Sequence, residues 1–307
     1  MTRFDLHILG CGSAVSTMRH QPSCQVLNIR DNLMMIDCGE GAQLAMRRER
    51  LKFSRLGHIF ISHLHGDHCF GLPGLISTMA LLGHTGVLTI HTFPDGRNIL
   101  NGILNYFCRD MPFTVECNII TPDMDVIYED NAVEVRSIPL SHGIPAVGFL
   151  FVEKPKLPHI NGEMAKFYEI PHYMLQGIKE GADYVLPDGQ VVPNERLVTP
   201  AEPSTSYAYC SDTKYSERVI ERVRGVKWLY HESTYADDKE KSSRRWGHST
   251  ARQAGRVARE AGVENLILGH YSQQYLDETV LLDQAKEEFS NTILSHEGLV
   301  VDLNGKL

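Results

Sequence analysis

The sequence predicts an α/β protein whose strand ends carry its chemistry, and three observations predict it. Residues 57–61 read as a buried strand, residues 71–82 carry the Leu, Ile and Met spacing of a helix, and Ser62-His63-Leu64-His65-Gly66-Asp67-His68 joins them. His142, Asp212 and His270 follow three further strand-like runs. Residues 153–203 break this pattern: they hold seven of the fourteen prolines and little strict alternation, which marks an insertion or arm. Open α/β sheets leave a crevice at the carboxyl ends of their strands, and loops there can aim side chains into it.

The elements follow in order. Residues 3–9 alternate polar and apolar side chains, as a half-buried strand does, and Gly10-Cys11-Gly12-Ser13-Ala14 opens a flexible loop to Pro22. Cys24–Ile29 and Asn32–Ile36 are strands joined by a polar turn at Arg30-Asp31. Asp37-Cys38-Gly39-Glu40-Gly41 closes the second of these, and an amphipathic helix then ends in Arg47-Arg48-Glu49-Arg50-Leu51-Lys52. Asp37 is placed either to orient a metal ligand from behind or to stabilise its own turn. Val87–Thr92 reads as a strand, 97–107 as a helix, and 113–120, 126–128 and Val133–Pro139 as a β-rich stretch, with 147–152 a further strand. After the insertion, Ser206–Cys210 is a strand, 216–223 a helix, and 226–230 a strand running into His231-Glu232-Ser233-Thr234. Residues 236–247 read as a mobile polar loop carrying Lys239, Lys241, Arg244 and Arg245. Thr250 with Gln253 forms a capping-box pattern, which would fix His248 just ahead of a helix N-terminus. Residues 265–268 form a strand before Gly269-His270, 278–289 the last helix and 298–303 the last strand.

Bulk properties exclude several classes. With 307 residues, 42% hydrophobic and 22% charged, the chain has the make-up of an ordinary globular protein of one large or two small domains. No apolar run approaches the roughly 18 residues that span a bilayer, and the N-terminus shows no signal-peptide pattern. Seven cysteines without a C-x-x-C pair fit free thiols in the cytoplasm better than a disulfide framework. A net charge of −8 argues against bulk attraction to nucleic acid, though a local basic patch can still bind phosphate.

The histidines point to metal. In an extended H-x-H, the imidazoles of His63 and His65 face one side, and the turn at Gly66 brings Asp67 and His68 round to a second position. His142 sits two residues past a strand and just before Gly143, and Asp212 and His270 end strands likewise. His58, His84, His91 and His296 lack such a setting and read as surface or packed residues, while His7 and His20 lie near the first loop with no assigned role. One catalytic zinc takes three protein ligands, so His63, His65, Asp67, His68, His142, Asp212 and His270 suit two ions sharing Asp212. His63, His65 and His142 would hold one ion, and Asp67, His68 and His270 the other. Zinc suits imidazole, and the carboxylates admit Mn²⁺ or Fe²⁺. Two ions roughly 3.5–4 Å apart suit in-line displacement at a phosphodiester, with a thioester, lactam or lactone as further options.

The H-x-H-x-D-H loop with later His, Asp and His at strand ends resembles the metallo-β-lactamase superfamily. Within it, Asp37-Cys38-Gly39-Glu40-Gly41, the run ISHLHGDHCFGLPGL at 61–75, His231-Glu232-Ser233-Thr234 and Gly247-His248-Ser249-Thr250 are together similar to the ribonuclease Z family of tRNA 3′-processing endonucleases. The resemblance covers nearly the whole chain. It implies a four-layer αβ/βα sandwich, one domain over 1–307, a homodimer, and precursor tRNA as substrate, with 153–203 as the arm that grips the tRNA elbow. It also implies that Asp67 acts as a base towards the attacking water, and that His248, polarised by Glu232, protonates the departing 3′ oxygen. An imidazolium paired with a carboxylate is a suitable acid for an alkoxide leaving group. The products would be a tRNA with a 3′-hydroxyl and a trailer with a 5′-phosphate.

The chain departs from the family's habit in two places. The arm lacks the glycine-proline pair frequent there and reads Ile170-Pro171-His172-Tyr173-Met174-Leu175-Gln176-Gly177. The first loop has Met18-Arg19-His20-Gln21-Pro22-Ser23 where an Arg-Asn step is frequent. Arg19, Arg47, Arg48, Lys154, Lys156, Lys179 and Arg252 are the candidates for contacts to the tRNA backbone. A small-phosphodiester or sulfate-ester hydrolase would keep the seven ligands but need neither the arm nor the His248 acid. A scaffold without catalysis would have eroded ligands, and none of the seven is eroded.

Overall fold

The computed structural model describes residues 3–305. Two seven-stranded sheets form its centre. The first runs Val300–Asp302, Phe4–Gly10, Cys24–Ile29, Asn32–Ile36, Leu56–Phe60, Val87–Thr92, Thr114–Ile119. The second runs Thr292–Leu294, Asn265–Gly269, Trp228–Glu232, Ser206–Cys210, Val147–Glu153, Val133–Pro139, Val126–Glu129. Pairing is parallel from Asn32–Ile36 outward to Thr114–Ile119 in the first sheet, and from Ser206–Cys210 outward to Thr292–Leu294 in the second. The carboxyl ends of these strands therefore share one edge of each sheet, where the ligand loops begin.

Cys24–Ile29 and Trp228–Glu232 are buried at every position, as strands covered on both faces are. The sheets meet face to face: Phe60 packs edge-on to Phe149 and to Phe151, each at 5.4 Å between ring centroids. Removing a ring of this kind from a packed core costs about 3–5 kcal/mol. Helices Ala42–Arg48 and Leu72–Leu81 cover the outer face of the first sheet, burying Met46, Leu75 and Met79 with Met35 and Ile59. Helices Ala251–Ala261 and Thr279–Lys286 cover the second, burying Val257, Ala258 and Leu281 with Leu266. The layering is helix, sheet, sheet, helix, the αβ/βα sandwich.

One close approach sets the metal loop. A Cβ on Gly71 would stand 2.1 Å from the Gly39 carbonyl oxygen, so only glycine lets the helix start after the loop lie against the 37–41 turn. Cys38 N–H donates to His68 O and Gly71 N–H to Cys38 O, both at 2.8 Å, which locks the two segments together.

Two expectations need correction, and two elements were not expected. Residues 236–247 are not a loop: Asp237–Lys239 is a 3-10 turn and Glu240–Trp246 a helix ended by Gly247 at φ 82°. The strand expected at 226–230 is Trp228–Glu232, so His231 and Glu232 lie inside it. The strand Thr292–Leu294 and the short helix Gly66–Cys69 within the metal loop had no counterpart in the sequence reading.

Residues 153–204 form a separate compact unit. It has a small core of Ile178, Tyr184, Val192 and Leu197, and two short antiparallel pairs, His159–Ile160 with Val198–Thr199 and Tyr184–Val185 with Val191–Val192. Its helices Gly162–Phe167 and Leu175–Lys179 have six and five residues, too few to show a period in sequence.

Candidate active site

The side chains converge as the strand ends direct them. His63, His65, Asp67 and His68 leave the strand Leu56–Phe60, Asp212 follows Ser206–Cys210, and His270 follows Asn265–Gly269. Asp212 stands between two groups. Its Oδ2 lies 3.6 Å from His63 Nε2 and 3.8 Å from His142 Nε2, and its Oδ1 lies 3.3 Å from His68 Nε2 and 3.2 Å from His270 Nε2. His65 turns its Nδ1 inward, 3.1 Å from His63 Nε2 and 3.3 Å from His142 Nε2. Asp67 Oδ2 lies 3.3 Å from His68 Nε2 and 3.7 Å from His270 Nε2. His63, His65, His142 and Asp212 thus form one set, and Asp67, His68 and His270 a second beside it.

These donors fit divalent cations. The Nε2 atoms of His68 and His270 are buried with no hydrogen-bond partner, while the opposite nitrogen of each ring is occupied. His68 Nδ1 lies 2.7 Å from Asp37 Oδ2, His270 Nδ1 3.0 Å from Thr234 Oγ1, His142 Nδ1 2.9 Å from Gly247 O, and His63 Nδ1 3.1 Å from Ser62 Oγ. Acceptors behind the rings hold the tautomer that presents a lone pair at Nε2. Electrostatics agrees. Burial together with the neighbouring His68 pushes His63 well below the usual imidazole range, and burial with His142 lowers His65, so both stay neutral donors. Burial opposes charge on His68, yet the carboxylates of Asp37 and Asp212 raise it, a field that favours a cation at this point.

Asp37 supports the site from the sheet. It accepts from Ser62 N–H at 2.7 Å, Ser62 Oγ at 2.8 Å and Tyr209 OH at 2.7 Å, besides holding His68. These bonds reach His68 and the neighbouring strand ends and none goes to the 37–41 turn, which supports the first reading of Asp37. Asp37 and His270 have φ of 54° and 59°, left-handed conformations that are held at functional sites at a cost of about 1–3 kcal/mol each.

A buried carboxylate–imidazole pair stands beside these sets. His248 Nδ1 lies 2.9 Å from Glu232 Oε1, and the capping box Thr250–Gln253 fixes the chain just after it. Glu232 is buried, and it also accepts from Thr213 N–H at 2.9 Å and Thr234 Oγ1 at 2.6 Å. Burial disfavours a charged His248, but the Glu232 carboxylate prevails and pushes it up to about 9. A cavity of about 310 Å³ opens over both sets and the pair, lined by Asp67, His142, Asp212, His248 and His270.

The basic residues expected at phosphate divide. Arg19 is paired with Leu276 O at 2.7 Å and Glu278 at 2.9 Å, and Arg252 with Asp237 at 2.6 Å and Glu287 at 2.8 Å. Arg47 and Arg48 are exposed in the last turn of their helix, Lys156 pairs with Glu153 at 3.1 Å, and Lys179 ends the helix Leu175–Lys179. Sequence reasoning missed Ala14, whose N–H donates to Asp67 Oδ2 at 2.8 Å, because a backbone donor has no sequence signature. It also assigned nothing to Thr234, Tyr235 or Trp246, which line or support the cavity. Thr234 lay within the HEST motif, the signal that could have found it.

The sequence pattern of the anti-Pycsar protein Apyc1 family matches residues 4–91, and that of the β-lactamase superfamily domain matches residues 196–271. Ribonuclease Z of Bacteroides fragilis (strain YCH46) is 51% identical over 304 residues, covering 99% of this chain and 100% of that protein. Ribonuclease Z of Porphyromonas gingivalis (strain W83) is 50% identical over 305 residues, with the same coverage of 99% and 100%. The crystal structure of the short form of human tRNase Z superposes with a TM-score of 0.71 at 22% identity, covering 97% of this chain and 99% of that one.

Proposed function

The chain belongs to the ribonuclease Z family, and from that premise we propose that it removes the 3′ trailer from precursor tRNA by hydrolysis next to the discriminator base. The observation that carries the reading is the junction of two metal-competent sets with the His248–Glu232 pair around one cavity. His63, His65 and His142 would hold one divalent ion, Asp67, His68 and His270 a second, and Asp212 would bridge them. Zinc is the ion we favour for these nitrogen and oxygen donors, with Mn²⁺ or Fe²⁺ as alternatives. Two such ions would supply a nucleophilic water and neutralise charge on the phosphate oxygens.

The chain's own residues do the rest. The Asp67 carboxylate lines the cavity with Oδ2 3.3 Å from His68 Nε2 and 3.7 Å from His270 Nε2, where it would accept a proton from the attacking water. The Ala14 N–H aims that carboxylate. His248 enters protonated because of Glu232, and its ring edge facing the cavity gives the proton to the 3′ oxygen as the P–O bond breaks. The tRNA would leave with a 3′-hydroxyl and the trailer with a 5′-phosphate. Residues 153–204 would serve as the tRNA-binding arm. A homodimer belongs to the same reading, and exposed Phe70, Leu81, Ile99, Tyr106 and Phe107, on and beside helices Leu72–Leu81 and Pro94–Phe107, support it.

The test uses a precursor tRNA with a labelled trailer and maps the new end. We expect a single cut after the discriminator base, abolished by a chelator and by Asp67→Ala. His248→Ala and Glu232→Gln should slow the chemical step by roughly 10²–10⁴-fold, the span of general acid catalysis. Hydrolysis of a small phosphodiester without any cut in tRNA would select the small-ester hydrolase instead.

A further inference from the structure

The residue two before His248 has no part in the chemistry above and an unusual position. Trp246 is 60% exposed, yet it lines the same cavity as His248 and Asp212. Its place relative to His248 is fixed by Ser243: His248 N–H donates to Ser243 O at 2.9 Å, and Ser243 Oγ donates to His248 O at 2.7 Å. Gly247 makes the turn between them at φ 82°, and a Cβ there would come within 2.8 Å of His142 Nδ1, so the segment cannot relax freely. Tyr235 stands on the same cavity wall with its ring centroid 6.1 Å from that of His248.

Cations lie next to the indole, on a segment that also carries Asp237, Asp238 and Glu240. The Arg245 guanidinium lies 5.2 Å from the Trp246 ring centroid, and Lys239, Lys241 and Arg244 are exposed on the same segment. A solvent-facing indole with a cation over it, at the mouth of a catalytic cavity, is the arrangement that holds an unstacked base beside its phosphate. Solubility alone would place a polar residue here.

We propose that Trp246 is a nucleobase platform, stacking the base of the nucleotide whose 3′ oxygen His248 protonates, with Arg245 facing the adjoining phosphate. The proposal rests on the tRNA-cleaving reading and deepens it, because the acid and the platform are two residues apart on one fixed turn. Stacking tolerates any base, so the platform adds affinity at this position without selecting sequence.

The experiment is a cycle between protein and substrate. Wild type, Trp246→Phe and Trp246→Ala are assayed on intact precursor tRNA and on versions lacking the base just before or just after the cut. Trp246→Ala should lower kcat/KM about tenfold, mostly through KM, and Trp246→Phe should retain most of it. Loss of the base before the cut should cost wild type a similar factor and cost the alanine variant nothing more. An alanine penalty that persists undiminished on that substrate, or vanishes only when the base after the cut is missing, overturns the proposal. Fluorescence gives a second readout, since the chain has two tryptophans and Trp228 is 1% exposed. Bound precursor should quench wild-type emission and leave Trp246→Phe unchanged, and equal behaviour of the two would also overturn it. If wild type cuts no precursor tRNA, the functional reading fails by itself, and the quenching comparison still decides whether Trp246 meets RNA.

Discussion

The Thr234 hydroxyl has one proton, and at 2.6 Å from Glu232 Oε2 that proton goes to the carboxylate. Its lone pair is then left for His270 Nδ1–H at 3.0 Å, which strips the proton from His270 Nε2 and turns that nitrogen towards Asp67 and Asp212. One hydroxyl therefore sets the tautomer of His270, a proposed metal ligand, and braces Glu232, the partner of the proposed acid. Thr234→Val should weaken metal retention and activity by about 10–100-fold, as removal of such supporting groups does. Thr234→Ser should restore both, and metal content after dialysis checks the first without reference to turnover. A valine variant with full metal content would mean that the ligand needs no orienting. The convergence of the proposed ligands was legible because His and Asp at strand ends are chemically conspicuous. The groups that aim them were not: Gly247 O and Ala14 N–H are main chain, and a threonine is common anywhere.

At the level of elements, the first loop is the piece that must be held for Asp67 to be aimed. His20 clamps it, with Nδ1 3.0 Å from Glu297 Oε2 and Nε2 3.2 Å from Glu278 Oε1, while Arg19 binds Glu278 alongside. The hydrogen bond to Glu297 outweighs burial and raises the His20 pKa above the ordinary value of about 6.5. A group raised in the folded state lends stability that is complete below its unfolded pKa and is lost as pH climbs through the folded one. His20→Gln should therefore lower the thermal midpoint clearly at pH 6 and much less at pH 9. Melting curves of both proteins at the two pH values check this, and a constant gap would show a neutral hydrogen bond. Most strands of both sheets were readable because apolar runs and alternation admit few other readings, whereas Thr292–Leu294, three residues long, shows neither. Glu240–Trp246 was not, since Glu240-Lys241-Ser242-Ser243-Arg244-Arg245-Trp246 offers only Ser243 to the interior and no apolar stripe. Its helix is held by the Gly247 turn and by Ser243, neither of which has a period.

For the whole molecule, the question is how a chain of net charge −8 engages a polyanion. Bulk charge repels tRNA, so affinity must come from a few lysines and arginines placed where phosphates pass. The unit 153–204 carries Lys154, Lys156, Lys166 and Lys179, and its deletion tests their part. Val152 and Ser206 are paired neighbours in the second sheet, so a short glycine-serine link can close the gap. Neither core cluster of the sandwich includes a residue from 153–204, so the remaining layers keep their packing. The shortened chain should still hydrolyse a small phosphodiester at the wild-type rate, while its KM for precursor tRNA rises steeply. Binding measured against salt concentration identifies the cause. Each lost lysine–phosphate contact should reduce the slope of log K against log salt by about one. A shortened chain that binds tRNA with an unchanged slope would move the electrostatic contacts to Arg47, Arg48 and the Glu240–Trp246 helix, leaving the arm a role in folding alone.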